Sequence, residues 1–521
     1  MSWKPEVDEI NQRYAWAEEM GGAETIAKRH KNGYLTIRER ISGVVDDGSF
    51  REVGKLAGKG SYKDGKLVGF KPAPYVMGMA KIDGRPVAIG GEDTTLRGGT
   101  NWGTTRRKGG QGGFIDDFAY YSRIPLIRLI DGYGGSASTA KRLGFSALPG
   151  HSVENNINPI ELMEIVPVVG AVMGIAAGGP AGRAVFSHWS VMVKGQSQIF
   201  AAGPSVVERG IGRTVSKEEL GGYKVAADNA GVIQNVAKNE EACFQQIRQF
   251  LSYLPSNVWE LPPFKNVGDP VDRIEEELLE IVPRDRRKPY DMRKVIKLIV
   301  DTGSFFEIQA THGRSAITVL ARLNGHTVGI IANNPMYGGV VDVKAARKQT
   351  HFIDLCDQFH IPLVFFVDVP GFNVGVDAEM AGTLREGMNV GYAKAQANVP
   401  MISLITRKCY GMAGGAVLDK FGLDFKIAWP SAEWGSLPIE GGVDATYRRE
   451  IASADDPDKR RKELEMEMRA LSSPFLTAEA FGIEDIIDPR ETRAYLCDFI
   501  EMQQPRIRTT LGPKIKGGTR P

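Results

Sequence analysis

Apolar residues along the chain fall into two patterns that predict different elements. Ile124–Ile130 and Leu363–Val367 are near-continuous apolar runs, as in strands covered on both faces. Between such runs, segments such as Lys344–Phe359 carry apolar residues at helical spacing, so strand, helix and strand alternate. Residues 5–41 are predicted helical, and Thr36-Ile-Arg-Glu39 is a capping box, with Thr36 accepting from an amide and Glu39 reaching back. Ile165–Gly182 runs eighteen positions without a charge but is broken by Pro167, Pro180 and five glycines. It falls short of the ~20 residues of a membrane span and predicts a buried strand entering a glycine-rich turn. Gly54–Gly65 is glycine-rich without a complete phosphate-loop motif and predicts a surface loop.

The pattern repeats. Ala80-Lys-Ile-Asp-Gly84-Arg-Pro-Val87 is echoed by Ala321-Arg-Leu-Asn-Gly325-His-Thr-Val328, each a strand, an Asp-Gly or Asn-Gly turn and a strand. Phe114-Ile-Asp116, Ile124-Pro-Leu126 and Asp131 recur as Phe352-Ile-Asp354, Ile361-Pro-Leu363 and Asp368. Val166-Pro167 with Ala177-Gly-Gly179 recurs as Val399-Pro400 with Ala413-Gly-Gly415, and all offsets lie between 233 and 241. Three echoes in one order predict an α/β chain built by duplication. Leu261-Pro-Pro-Phe264 and the acidic run Glu275, Glu276, Glu277 mark a linker with a short exposed helix. Domains of 1–265 and 266–521 follow.

Composition narrows the classes. At 521 residues the chain exceeds the usual ~150 per domain, and 42% hydrophobic with 25% charged residues excludes general disorder. Lys plus Arg number 65 against 63 acidic residues, so there is no global basic field for nucleic acid. The four cysteines are scattered without a Cys-x-x-Cys pair, which removes a zinc ribbon and fits a reducing compartment. Met1–Asn11 is polar and lacks the apolar core of a signal peptide. A cytoplasmic protein is expected, or one in an organelle matrix if a transit peptide has been removed.

Side chains announce no catalyst. The seven histidines show neither His-x-x-x-His nor Glu-x-x-His spacing, so no metal centre is expected, and no Gly-x-Ser-x-Gly elbow or Walker loop exists. What remains is backbone: Gly132-Tyr-Gly-Gly135-Ser-Ala137, Ala177-Gly-Gly179 and Gly411-Met-Ala-Gly-Gly415 follow predicted strands. Such turns either pack helix closely on strand or aim amides at an oxygen gaining charge, an oxyanion hole contributing roughly 3 kcal/mol per donor.

The chain resembles the carboxyltransferase (β) subunits of biotin-dependent acyl-CoA carboxylases, of the propionyl-CoA and methylcrotonyl-CoA carboxylase type. The matching words include Arg29-His-Lys-Asn-Gly-Tyr-Leu-Thr-Ile-Arg-Glu-Arg-Ile41, Asp47-Gly-Ser-Phe50, Gly203-Pro-Ser-Val206 and Glu218-Glu-Leu-Gly-Gly222. Leu251-Ser-Tyr-Leu-Pro-Ser-Asn257, Pro289-Tyr-Asp-Met292, Val367-Asp-Val-Pro-Gly-Phe372 and Ile405-Thr-Arg-Lys408 continue the match. The resemblance implies two tandem crotonase-like (ββα-spiral) domains and transfer of carboxylate from carboxybiotin to the α-carbon of an acyl-CoA. It implies a thioester enolate at Gly135, Ser136 and Ala137, with Gly134, Gly178 and Gly179 against the acyl-CoA. It places the biotin ureido oxygen at Met412 and Ala413, with Gly411 and Phe372 beside the cofactor and Gly414 and Gly415 beside the acyl group. Arg106, Arg107 and Lys108 are either an anion site for the CoA phosphates or a solvated loop.

The chain carries no Met-Lys-Met biotinylation motif, so biotin is expected on a separate biotin carboxylase/biotin carboxyl carrier chain. A homo-oligomer is implied, a hexamer built as a trimer of dimers, with the biotin turn supplied across a dimer interface. Many relatives read Ser-Gly-Gly-Ala-Arg at the first turn, and the usual Arg is missing here. Propionyl-type relatives place Asp where this chain has Gly415, so a bulkier or more apolar acyl group is expected. A biotin-dependent acyl-CoA decarboxylase subunit is the same-fold alternative. A crotonase-type hydratase or isomerase would need a carboxylate pair near turns that hold none, and a scaffold is the non-enzymatic alternative.

Overall fold

A computed structural model describes residues 2–99, 110–134, 141, 144–145, 159–418 and 425–514. The chain divides into two compact units, residues 2–260 with 512–514 and residues 261–511. In the first, the strands are β1 (Arg51–Val53), β2 (Gly58–Lys63), β3 (Lys66–Pro72), β4 (Tyr75–Ile82), β5 (Arg85–Glu92), β6 (Leu126–Gly132), β7 (Val168–Ala177), β8 (Trp189–Val193), β9 (Gln198–Phe200) and β10 (Asn235–Ala237). In the second they are β11 (Phe306–Ile308), β12 (Ala316–Leu323), β13 (His326–Asn333), β14 (Leu363–Val369), β15 (Met401–Tyr410), β16 (Phe425–Ala428), β17 (Glu433–Gly435) and β18 (Asp485–Ile486).

One topology serves both units. The first sheet runs β1-β4-β5-β6-β7-β8-β10 with β9 on β7, and the second runs β11-β12-β13-β14-β15-β16-β18 with β17 on β15. In each, two antiparallel pairings open the sheet and parallel pairings complete it. Ala80 pairs with Val87 and Ala321 with Val328, so the hairpins share one register. Burial on both faces explains the apolar runs: every residue of β6, β7, β14 and most of β15 is buried. Helix 37–44 carries the capping box foreseen at Thr36 and Glu39.

A further echo lies in Asp46-Asp-Gly-Ser-Phe50 and Asp301-Thr-Gly-Ser-Phe305. Asp46 accepts the amides of Asp83 and Gly84 at 3.0 and 2.8 Å, while Asp301 accepts those of Asn324 and Gly325 at 3.0 and 2.7 Å. Both hairpin turns have positive φ at their two central residues, so their amides point outward and need such an acceptor. Arg248 and Arg493 then bind the two carboxylates at 2.9 and 2.8 Å.

Two expectations change. Gly54–Gly65 is not a plain loop, because β2 pairs antiparallel with β3 from Gly58 and Pro72 to Lys63 and Lys66. The Ala-Gly-Gly echo is out of register: β7 matches β15 at an offset that sets Gly178 on Gly411, not on Gly414. Their φ values of 63° and 61° agree.

Candidate functional site

The turns of interest all leave the carboxyl ends of parallel strands, where ligands bind in sheets of this kind. In the first unit these are Gly98–Gly99 after β5, Gly132–Gly134 ending β6, and Gly178 between β7 and helix 179–185. In the second they are Gly338–Gly339, Pro370–Phe372, and Gly411 opening helix 411–418. Gly135, Ser136, Ala137, Arg106, Arg107 and Lys108 lie outside the described residues.

Glycine is required where these segments meet. A Cβ on Gly99 would stand 2.7 Å from the Asp131 carbonyl oxygen, and one on Gly339 2.6 Å from that of Asp368. Gly134, at φ 74°, would place its Cβ 2.5 Å from the Ala177 oxygen, so the turn after β6 lies directly on the strand end that leads to Gly178. Gly178 and Gly179 themselves have nothing within 4 Å of such a Cβ.

Buried carboxylates hold the turns. Asp131 receives Arg29 at 2.6 Å and Arg40 at 2.9 Å, and its other oxygen accepts the Ile175 amide at 3.3 Å. Asp368 receives Arg407 at 3.0 Å and the Lys408 amide at 3.2 Å. Ile175 and Lys408 are equivalent, each beside an irregularity between β6 and β7 or between β14 and β15. An amide freed from the ladder there needs another acceptor, and the Asp provides it. Arg40 is wholly buried and also binds Glu240 and the Met173 carbonyl.

The units differ one strand away. The Asp131 amide donates to Glu92 at 3.1 Å, while the Asp368 amide donates to Asn333 at 3.2 Å. Glu92 and Asn333 end β5 and β13 at equivalent positions. Burial pushes the Glu92 carboxyl above its ordinary range, opposed by Arg183 at 3.5 Å. Arg183 also bonds the buried Tyr75 hydroxyl at 3.0 Å. In the second unit Glu433 accepts from Tyr410, the residue before Gly411, and pairs with Arg286. Burial raises the Glu433 carboxyl as well.

The remaining predicted residues occupy distinct settings. Met412 is 60% exposed and Ala413 buried. The half-buried Phe372 ring packs against Gly387, where a Cβ would stand 2.4 Å from it. A Cβ on Gly414 would press the Cys409 sulfur at 2.8 Å. Gly415 is helical and is not among the positive-φ glycines. Sequence reasoning did not find Glu92, Asn333, Glu433 or Arg286. Arg29, Arg40 and Arg407 were inside quoted words, but nothing in their spacing gave their role.

The carboxyl transferase domain family matches residues 28–516. The chain is 36% identical to the propionyl-CoA carboxylase carboxyltransferase subunit of Haloferax mediterranei, covering 100% of both chains. It is 34% identical to the methylmalonyl-CoA carboxyltransferase 12S subunit of Propionibacterium freudenreichii subsp. shermanii, covering 99% of this chain and 97% of that one. Among solved structures, a transcarboxylase 12S hexamer with methylmalonyl-coenzyme A and methylmalonic acid bound superposes with a TM-score of 0.87. It is 31% identical over 100% of this chain and 99% of that one.

Proposed function

This chain belongs to the carboxyl transferase family, and from that premise we propose that it moves a carboxylate from carboxybiotin to the α-carbon of an acyl-CoA. Its units are the two tandem crotonase-like domains of that family. The observation that carries the reading is the paired set of positive-φ glycine turns at matching strand ends, one set per unit, each beside a buried Asp gripped by arginine.

The first set receives the acyl-CoA. The amides of Ser136 and Ala137, with the Gly178–Gly179 backbone, stabilise the thioester oxygen as the α-proton leaves. The second set receives biotin. Its donors fit a ureido oxygen that gains negative charge: amides of Met412 and Ala413 at the start of an eight-residue helix, with no Cβ at Gly411. Biotin, when bound, supplies both the carboxylate and the base, which accounts for a site built of backbone. The chain's own work is to position the two reactants and exclude water between them.

Relatives named for propionyl-CoA direct the first choice of substrate, and Gly415 favours acyl groups of that size or larger. The partner is a biotin carboxylase/biotin carrier chain, in the cytoplasm. Val376, Met380, Leu384, Met388 and Tyr392 recur every four residues on helices 376–381 and 383–396 and are all exposed. Those exposed apolar side chains favour burial against another copy, with enolate and biotin turns meeting from different subunits. The decarboxylase reading keeps one support, 32% identity to a methylmalonyl-CoA decarboxylase subunit alpha of Veillonella parvula. No helix among the described residues is long and apolar enough to cross a membrane.

The test is product formation by the chain with its biotin-bearing partner across an acyl-CoA series. Carboxylated product should require biotin. Full turnover in biotin-free buffer with bicarbonate alone would overturn the reading.

A further inference from the structure

The β2–β3 ribbon belongs to the first unit alone. Residues 54–74 join β1 to β4, whereas 309–315 suffice between the equivalent β11 and β12. The fold therefore closes without a ribbon. Its place is informative: Tyr75, just beyond it, pairs with Glu92, and the Asp93 amide donates to the Pro74 carbonyl at 3.1 Å. The ribbon thus springs from the carboxyl edge of the sheet, the edge from which Gly99, Gly132 and Gly178 emerge. At ~3.3 Å per residue it extends about 20 Å from base to tip.

Its surface is cationic at a cost. Lys59 sits directly opposite Lys71, and Lys63 directly opposite Lys66. Like charges in directly opposed positions, with Cβ atoms about 5 Å apart, destabilise a strand pair. Lys55 at the foot pairs with Glu18, but the other four lysines are exposed, and Asp64 is the one acidic residue from 54 to 74. Leu56, Tyr62 and Val68 are exposed among them. Helix 4–18 braces the ribbon, with Arg13 bonded to the Tyr62 hydroxyl at 3.0 Å and stacked over Phe70. Lysines interleaved with apolar side chains on a braced arm suit an acidic protein surface better than a free phosphate, which has no use for the apolar positions.

We propose that this ribbon is the docking surface for an acidic face of the biotin-bearing partner chain, guiding it to the edge where the acyl-CoA turns open. The inference rests on the carboxyltransferase reading, which requires such a partner to reach that edge. Opposed lysine pairs raise the local positive potential, and a partner that neutralises them relieves their repulsion and arrives faster.

The test replaces Lys59, Lys63, Lys66 and Lys71 together by Glu, with a fourfold Lys→Arg variant as control. Each is assayed with free biotin and with the biotinylated chain of the holoenzyme. The Glu variant should raise KM for the biotinylated chain about tenfold or more, and flatten its dependence on salt. KM for acyl-CoA and the rate with free biotin should stay unchanged, and the Arg variant should behave as wild type. An unchanged KM for the biotinylated chain would overturn the proposal. So would a raised KM for acyl-CoA with free biotin, which would assign the lysines to CoA phosphates, or equal competition by short duplex DNA at the same ionic strength. Failure of the wild-type chain to use either form of biotin would instead overturn the carboxyltransferase reading.

Discussion

The Asp131 carboxylate occupies the space that a side chain on Gly174 would need: a Cβ there would stand 2.1 Å from Oδ1 and 2.3 Å from Cγ. One strand gives up its side chain so that its neighbour can bury a charge. The carboxylate cannot retreat, because Arg29, Arg40 and the Ile175 amide fix both of its oxygens.

Gly174→Ala should therefore break a buried ion pair, not merely crowd a strand. Losing such a pair costs about 3–5 kcal/mol. Gly441→Ala, in a helix where a Cβ meets nothing within 4 Å, should be neutral or stabilising by up to about 1 kcal/mol. Denaturant midpoints of the two variants check this contrast. Similar midpoints would mean that Asp131 relaxes freely.

Arg407 supports the second turn through Asp368, as Arg29 and Arg40 support the first through Asp131. Arg407→Lys keeps the charge but loses the two-nitrogen grip on one carboxylate oxygen. KM for biotin should rise, on the order of tenfold, while KM for acyl-CoA changes less; small displacements at a positioning turn are worth up to about 10²-fold. Equal changes in both constants would argue against separate duties for the two turns.

Much of the architecture is legible because burial on both faces leaves apolar runs, and because Asp83-Gly84 and Asn324-Gly325 carry turn chemistry in their residue types. The ribbon was not: Lys59, Lys63, Lys66 and Lys71 give it no apolar alternation, and its pairing depends on Gly58–Gly60 lying against β3. The Ala-Gly-Gly echo misled because composition at a turn is a weaker marker than backbone angle, and Gly178 answers to Gly411 by φ. Glu92 and Asn333 hide for another reason. They do the same work, accepting an Asp amide, with different residue types, so no comparison of letters pairs them.

Glu92 sets a pH dependence. Its carboxyl is raised by burial, so between the ordinary carboxylate range and the raised value the folded state binds more protons than the unfolded state. Stability contributed by this group must then fall as pH rises through that window. Glu92→Gln keeps an acceptor for the Asp131 amide and removes the titration. Thermal midpoints from pH 4 to 8 should show a shallower decline for the variant. An identical slope would place the titration elsewhere.

Mixed oligomers test whether one site draws its two turns from different subunits. One chain disabled at Ser136–Ala137 and another disabled at Met412–Ala413 should be inactive alone. Combined, they should regain part of the activity, since some interfaces then pair two intact turns. No recovery in verified mixed oligomers would place both turns of a site in one chain.

The proposed role of Gly415 beside the acyl group can be tested by substitution. Gly415 lies in helix 411–418 with an ordinary helical backbone, so replacing it does not demand a left-handed conformation, and a side chain there acts through space and charge. With no side chain at Gly415, the proposed acyl neighbourhood of the turn would be wider and uncharged compared with one that carried Asp at this position. Each methylene of fit in an acyl pocket is worth roughly 1–3 kcal/mol, or about 10- to 200-fold in selectivity. Gly415→Asp should move the kcat/KM ranking across an acyl-CoA series toward small acyl groups while KM for biotin holds. A uniform loss across the series, with the ranking intact, would show that Gly415 serves the packing of helix 411–418 against its strand and does not choose the substrate.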